Sequence, residues 1–331
     1  MPSRIRSRTP TPADVIAARG RLAGIALTTP LESAPTLASE SEAAEVRLKL
    51  ESAQPTGSFK TRGAHNRIAL LAIEQPSARI VTASSGNHGI AVAHATVRYG
   101  MRATILVGAA SSPAKLERLR ALETDAITVE VFGRDTDDTE AEARRRDDAR
   151  VAVYVPPYND ADVIAGQGTV GAEILEAWPE VEAIVVPVGG GGLIAGIGIW
   201  AKAVSPGVRI VGVQPSASPP MYAYLESGTT RPMPIAPTLA DGVAGNIERG
   251  SITWSLCRRL VDEMVVVDEE EIAHAMRWAI DEQHLVLEGS AVLGIAALRG
   301  RKASGLPGSR VAVVATGRNV DGDSLRRVLA G

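Results

Sequence analysis

The sequence predicts an α/β protein of two lobes, each a mainly parallel sheet with helices on its faces. Short apolar runs alternate along the chain with segments of helical length, which is the pattern of parallel sheets covered on both faces. The chain has 331 residues, more than one core normally holds. It has two phenylalanines, so its interior must be built mostly from Val, Ile, Leu and Ala.

The strands are predicted wherever a short run is rich in aliphatic and β-branched residues. In chain order they span residues 46–50, 80–83, 103–107, 127–131, 152–155, 183–188, 209–214, 263–267 and 311–316.

Helices are predicted between these strands, and the N-termini of two of them have residues that typically begin a helix. Pro113 follows two serines, and Asp268 precedes three glutamates, which gives a cap and negative charge on the first turn. In chain order the predicted helices span residues 11–21, 59–72, 89–99, 113–122, 136–148, 163–177, 193–203, 269–283 and 290–299. Segment 251–260 is amphipathic, and 216–237 reads as a long surface loop around a short helix.

Two lobes are expected from this order of elements. Segment 82–156 is predicted to form a small mobile domain, and residues 1–81 with 157–331 a large domain that holds both ends of the chain. The charge-dense segment 134–150 is predicted as an exposed helix of the small domain. Acidic residues flank its AEARRRDD run, so a solvated face is expected there and not a binding site.

Composition excludes several partner classes. The net charge of −3 predicts neither nucleic acid nor membrane as a partner, and no apolar run approaches the length of a membrane span. The one cysteine, Cys257, allows no internal disulfide and is expected to be a buried thiol. This predicts a reducing, cytoplasmic location.

The stretch ESAQPTGSFKTRGA, residues 51–64, places Lys60 in a tight and partly apolar turn after a predicted strand. Lysines normally remain in water, and desolvation lowers the pKa of a lysine amine. A lysine in this position is expected to serve as a nucleophile and a base. A surface lysine beside a turn would be the simpler interpretation if this stretch stood alone.

The stretch TASSGNHGIA, residues 82–91, joins a predicted strand to a helix. Backbone N–H groups at a helix N-terminus attract anions, so the turn is a candidate carboxylate seat. Serine, asparagine and glycine also suit an ordinary capped turn.

The stretch VVPVGGGGLIAGI, residues 185–197, has four consecutive glycines between a buried strand and an apolar helix. Ordering four glycines is entropically costly and is typical of a backbone that passes close to a phosphate. No Lys-Ser/Thr follows, so it is not a P-loop, and its spacing is not that of dinucleotide sites.

Together the three turns indicate pyridoxal phosphate, which needs a lysine for its aldehyde, an anion hole for its phosphate and a partner for its ring nitrogen. The motifs QPTGSFKTRGA, SSGNHG and GGGGL, in this order, resemble the fold-type II pyridoxal-phosphate enzymes, a tryptophan synthase β-like fold. The most similar group is that of the serine/threonine dehydratases and serine racemases, and the resemblance covers nearly the whole chain.

The resemblance implies a set of cofactor contacts. Lys60 would form the Schiff base, Phe59 would pack beside the ring, and Asn87 would hydrogen-bond the ring hydroxyl. Thr316 takes the place of the Ser or Cys that faces the ring nitrogen. The backbone around the phosphate would come from Gly189, Gly190, Gly191, Gly192 and Leu193.

The resemblance also implies substrate contacts. Gly242 and Glu288 would line the site, and Ser85 matches the acid/base of the opposite face in racemases. The substrate carboxylate would be held by Ser84, Ser85, Gly86, Asn87 and His88. The implied reaction begins when the Lys60 amine removes the α-proton of a β-hydroxy amino acid, and it ends in a 2-oxo acid and ammonia.

The chain departs from the family pattern at several positions. Where cation-binding members have a stretch resembling EPSNADD, residues 214–220 read QPSASPP, so Gln214 and Pro220 replace both acids and no metal is expected. Arg318 stands where glycine is usual. It belongs either near the cofactor, which would suit a substrate with an extra acidic or polar group, or in an ion pair elsewhere. Ile90 follows the SSGNHG motif at a position where the family often has glutamine, which makes that edge of the expected site more apolar.

The main prediction is therefore an ammonia-lyase (dehydratase) for L-threonine or L-serine, expected as a homodimer. A dehydratase for hydroxyaspartate or for a hydroxyectoine-derived diamino acid is an alternative, as is a serine racemase. A non-catalytic protein that keeps the fold is disfavoured by the intact Lys60, Asn87 and glycine run.

Overall fold

Two separate sheets organise the protein in the computed structural model, which describes residues 8–330. The strands are β1 (Leu31–Ser33), β2 (Glu45–Leu50), β3 (Arg79–Ala83), β4 (Arg102–Val107), β5 (Ile127–Val131), β6 (Val153–Tyr154), β7 (Ala183–Pro187), β8 (Arg209–Pro215), β9 (Glu263–Val267) and β10 (Arg310–Ala315).

The helices cover the faces of these sheets. They are α1 (Pro12–Leu22), α2 (Pro35–Ser41), α3 (Lys60–Glu74), α4 (Asn87–Arg98), α5 (Pro113–Arg120), α6 (Thr136–Asp148), α7 (Ala161–Ala177), α8 (Gly192–Val204), α9 (Pro220–Ser227), α10 (Ile252–Leu260), α11 (Glu269–Gln283), α12 (Leu293–Arg299) and α13 (Gly322–Ala330).

The larger sheet has the strand order β1-β2-β10-β7-β8-β9, and the smaller one has the order β5-β4-β3-β6. All of the strand pairs are parallel except β1 with β2. The predicted α/β class with mainly parallel sheets is confirmed. The smaller sheet begins at Arg79, three residues before the predicted domain boundary at 82.

Every strand and helix predicted from the sequence is present; β5, β9, α6 and α11 have the predicted bounds, and the others have shifted ends. Helix α4 begins at Asn87, two residues earlier than predicted, and residues 289–292 form a 3₁₀ turn before α12. The elements β1, α2 and α13 were not predicted. Strand β1 has three residues, too few for a pattern, and it pairs only at the sheet edge.

Strand β7 shows how the larger sheet buries both faces. Ala183 and Val185 belong to one hydrophobic cluster, whereas Ile184 and Val186 belong to the cluster on the opposite face. Successive side chains of a strand point to opposite faces, so a continuous apolar run is what a sheet covered on both faces requires. The smaller sheet has its own cluster, to which α3 also contributes.

Candidate active site

Lys60 is the first residue of α3, and a tight turn places it beside the carboxyl end of β10. Gly57 adopts a φ of +76°, which favours glycine, and a Cβ there would lie 2.8 Å from Oδ1 of Asn319. The backbone N–H of Phe59 donates to the carbonyl of Thr316 at 3.1 Å. The turn that precedes the lysine is therefore fixed to the segment that follows β10.

The Lys60 side chain is half-buried, and its Nζ donates to the carbonyl of Pro157 at 2.8 Å. Burial lowers the pKa of the amine to about 8, although the charges of Glu288 and Glu140 act in the opposite direction. A lysine in water is almost wholly protonated at neutral pH. With a pKa of about 8, about one tenth of this amine is neutral at pH 7, far more than for a lysine in water, and the neutral form is the nucleophile.

A buried ionic cluster anchors the start of α3. Arg62, two residues after Lys60, places its guanidinium between Glu51 at 2.7 Å and Glu173 at 2.6 Å. Lys49 Nζ also donates to Glu173 at 2.6 Å. Two buried cations thus balance two buried carboxylates, and the planar fork of the arginine fixes the helix that carries Lys60.

The predicted carboxylate seat is the N-terminus of α4. Gly86 precedes the helix and provides no side-chain cap, so the first N–H groups remain available to a ligand. The backbone N–H of Gly86 donates to Ser84 Oγ at 3.2 Å. The buried imidazole of His88 instead donates from Nε2 to the Val155 carbonyl at 3.0 Å, and burial lowers its pKa to about 3. His88 is therefore neutral.

The four glycines form the turn into α8. Gly191, with a φ of +85°, precedes the helix and supplies no side-chain cap. A Cβ on Gly190 would lie 2.2 Å from the ring of Tyr158, so only glycine fits there. Free N–H groups at the start of a helix, with no side chain above them, suit a phosphate.

Asn87 is held by a network around a buried carboxyl group. Its Nδ2 donates to Glu288 Oε1 at 2.8 Å, and its Oδ1 accepts from Asn319 Nδ2 at 2.6 Å. Burial, aided by the charge of Asp241, raises the pKa of Glu288 to about 7. A Cβ at Gly317 would lie 2.5 Å from the same carboxyl, so the glycine makes room for it.

One cavity of about 260 Å³ brings the three turns together. All of the predicted site residues line it: Phe59, Lys60, Ser84, Ser85, Gly86, Asn87, His88, Gly189, Gly190, Gly191, Gly192, Leu193, Gly242, Glu288 and Thr316.

Several lining residues were not predicted. Tyr158 lies under the glycine turn, Lys115 of α5 pairs with Asp241 at 2.5 Å, and the buried Oγ of Ser290 has no hydrogen-bond partner in the described part of the chain. Glu140 on α6 also lines the cavity, so the helix predicted as exposed over 134–150 has one side that faces the site. The sequence-level signal for Tyr158 was its place just after strand β6, because ligands bind at carboxyl ends of parallel strands.

Arg318 fits neither of its predicted places. Its side chain is exposed, and within residues 8–330 it makes no ion pair. Gln214 is buried and accepts the backbone N–H of Tyr222 at 2.8 Å, and Pro220 begins α9. Within the same residues no three His, Cys, Asp or Glu side chains cluster as a metal site would need.

Cys257 is buried against the glycine turn, with its Sγ 3.8 Å from the Gly191 carbonyl, as expected of a structural thiol. Burial raises its pKa to about 12. In the described part of the chain, no helix has the length and apolar character needed to cross a membrane.

Fold and site together define a class: a two-lobed α/β enzyme whose reactive lysine, phosphate cradle and carboxylate seat share one cavity. The residues fit pyridoxal phosphate, because the glycine turn leaves uncapped N–H groups and the Lys60 amine and the Thr316 hydroxyl line the same space. A family model described as pyridoxal-phosphate dependent enzyme matches residues 23–317. The chain belongs to this family, and its cofactor is pyridoxal phosphate.

The relatives that resemble this chain include ammonia-lyases and a serine racemase. The L-threonine ammonia-lyase of Thermotoga maritima is 41% identical over 291 residues, which cover 88% of this chain and 71% of that protein. The L-threo-3-hydroxyaspartate ammonia-lyase of a Pseudomonas species is 35% identical, over 96% of this chain and 98% of that protein. The structure of maize serine racemase matches with a TM-score of 0.89 and 31% identity over 98% of both chains. The resemblance drawn from the three motifs is confirmed.

Proposed function

We propose that this chain is an ammonia-lyase that converts L-threonine or L-serine to a 2-oxo acid and ammonia. The observation that carries the proposal is the half-buried Lys60 amine, which shares one cavity with an uncapped helix N-terminus and the glycine turn. The relatives named as threonine ammonia-lyases support the choice of substrate.

The protein contributes binding, orientation and proton transfer. The N–H groups at the start of α4 bind the substrate carboxylate, and those of the glycine turn bind the cofactor phosphate. Bound pyridoxal phosphate supplies an electron sink for the electrons left at the α-carbon. Lys60 Nζ takes the α-proton, and its lowered pKa suits this role near neutral pH.

Asn87 and Thr316 hold the cofactor ring in this proposal. Glu288 and Asn319 fix the amide of Asn87, so that its orientation is set before a ligand arrives. A threonine hydroxyl is a weak acid, so Thr316 would donate a hydrogen bond to the ring nitrogen without protonating it. The bound cofactor would then supply a weaker electron sink.

The test uses the purified enzyme with bound pyridoxal phosphate and a panel of hydroxy amino acids. We expect release of 2-oxobutanoate and ammonia from L-threonine, and Lys60→Ala should lose both this turnover and the cofactor's imine absorbance. Full turnover in Lys60→Ala would contradict the proposal.

A serine racemase remains the second candidate, because Ser85 lines the cavity and the maize racemase shares the fold. Chiral analysis of unreacted L-serine separates the two functions. Appearance of D-serine that is lost in Ser85→Ala would establish the racemase, whereas L-serine that stays enantiopure during oxo-acid release would exclude it.

We further propose that the enzyme is a cytoplasmic homodimer in which segment 82–156 moves as a small domain. The resemblance supports the dimer, and the separate sheet and core of this segment support the domain motion. Sedimentation analysis tests the dimer, and hydrogen exchange with and without L-serine tests the motion.

A further inference from the structure

The cavity lining is rich in acidic groups. Four carboxyl groups face it, and the amines of Lys60 and Lys115 are the two side-chain cations in the lining. Lys115 is already paired with Asp241, and Lys60 has its role with the cofactor. Within residues 8–330, no arginine lines the cavity. The carboxyl groups belong to Asp137, Glu140, Asp241 and Glu288.

A substrate with a second carboxylate needs a second anion seat. The start of α4 serves the α-carboxylate, so another cation would have to meet the acidic side chain. Arg318 is exposed and does not line the cavity. Arg144 contacts Glu140 but does not line the cavity, and it is held by Glu248 at 2.6 Å.

Glu288 and Glu140 are the cavity carboxyl groups whose charges act on Lys60, beside which the substrate must bind. Glu288 already accepts hydrogen bonds from Asn87 and Asn319, so Glu140 is the one left to act on such a side chain. It lies on the first turns of α6, its side chain is 19% exposed, and its charge acts on both Lys60 and Tyr158. Its cationic neighbour, Arg144, lies 3.5 Å away and is shared with Glu248. The negative charge of Glu140 is therefore only partly balanced.

We propose that Glu140 is a specificity-determining residue that restricts the enzyme to hydroxy amino acids whose side chain carries no negative charge. The proposal rests on the function proposed above and names the substrate class of the same site. A like charge in a partly desolvated cavity repels a second carboxylate, which is a repulsive element against the wrong substrate.

The kinetic test compares kcat/KM for L-threonine with that for L-threo-3-hydroxyaspartate. Measurement at about pH 8.5 keeps Glu140 ionised, because burial raises its pKa to about 7. We expect the wild type to prefer L-threonine and Glu140→Gln to reduce that preference by at least about tenfold. The matched control is Glu117→Gln, which removes an exposed charge of α5 outside the cavity and should leave the preference unchanged.

The binding test uses L-asparagine and L-aspartate, which have nearly the same shape and differ by one charge. Their inhibition constants, or their dissociation constants read from the cofactor spectrum, should favour L-asparagine in the wild type and converge in Glu140→Gln. An unchanged ratio of the two binding constants in Glu140→Gln would overturn the inference. Equal kcat/KM of the wild type for L-threonine and L-threo-3-hydroxyaspartate would overturn it as well. Absence of turnover with any hydroxy amino acid would instead refute the proposed function, and the binding ratio would still test the role of Glu140.

Discussion

Replacement of Arg62 by methionine tests whether the buried ionic cluster holds the start of α3. The side chain is 1% exposed, and its guanidinium contacts Glu51 and Glu173 through four hydrogen bonds of 2.6–2.8 Å. Methionine fills much of the same volume but donates no hydrogen bond. Two buried carboxylates would then share the single cation of Lys49.

The expected loss is large because a buried charge is left without its partner. Breaking a buried ion pair in this way costs about 3–5 kcal/mol, a large share of the roughly 5–15 kcal/mol that stabilises a typical protein. At about 2 °C per kcal/mol for a chain of this size, Tm should fall by about 6–10 °C. Arg62→Lys should recover only part of the loss, because an ammonium cannot bridge both carboxylates through a planar fork.

The assay is thermal and urea unfolding of the enzyme with and without pyridoxal phosphate, together with titration of the cofactor. Because α3 begins at Lys60, cofactor affinity should fall along with stability. The control is Arg326→Met, which breaks an ion pair whose side chains are both 78% exposed and should change stability by less than about 1 kcal/mol. If Arg62→Met lost no more stability than this control, the cluster would not be the anchor of α3.

Three further predictions follow from the cavity itself. The rate at which apoenzyme takes up pyridoxal phosphate should rise with pH around the pKa of about 8 of Lys60, and a midpoint near the ordinary 10.5 would contradict the assigned burial. Glu288 has its pKa raised from 4.5 to about 7, so the folded state binds more protons than the unfolded one between these values and loses stability as pH rises through them. The free energy of unfolding of Glu288→Gln minus that of the wild type should therefore be up to about 3 kcal/mol larger at about pH 8 than at about pH 4.5. The same difference at both pH values would contradict this reasoning. Gly190→Ala should weaken cofactor binding at least about tenfold, because its Cβ would meet the Tyr158 ring, whereas Gly207→Ala, with open space around it, should bind normally; equal cofactor dissociation constants would contradict the role of this glycine.

The three turns could be predicted because each leaves a local trace in the sequence. A glycine run between a buried strand and an apolar helix has few structural uses. One of them is a left-handed backbone conformation, which Gly191 adopts just before α8. The turn before Lys60 likewise needs Gly57 and small residues at fixed offsets. Parallel strands bring the turns after β2 and β7 together, because the carboxyl ends of both strands lie at one edge of the larger sheet. The turn after β3 belongs to the smaller sheet and lines the same cavity from there.

Glu140 and Arg318 could not be placed in this way. Segment 134–150 has so many charges that no periodic pattern distinguishes the side facing the cavity from the side facing water. Arg318 lies in a motif that surrounds the cavity, yet its backbone N–H donates to the Gly57 carbonyl while its side chain is exposed. A motif fixes the path of the backbone, whereas the direction of each side chain depends on packing between distant segments.

Burial acts on the charged groups of this cavity in opposite directions. It lowers the pKa of Lys60 to about 8 and raises those of Glu288 and Glu140 to about 7, because each charged form loses solvation. The three groups therefore change charge within a narrow range around neutral pH. An arginine could not take part in such a balance, since it stays charged at any accessible pH. A cavity that must keep one amine neutral is better served by uncharged backbone N–H groups at two helix starts, which in the proposed function would bind the phosphate and the carboxylate without adding positive charge.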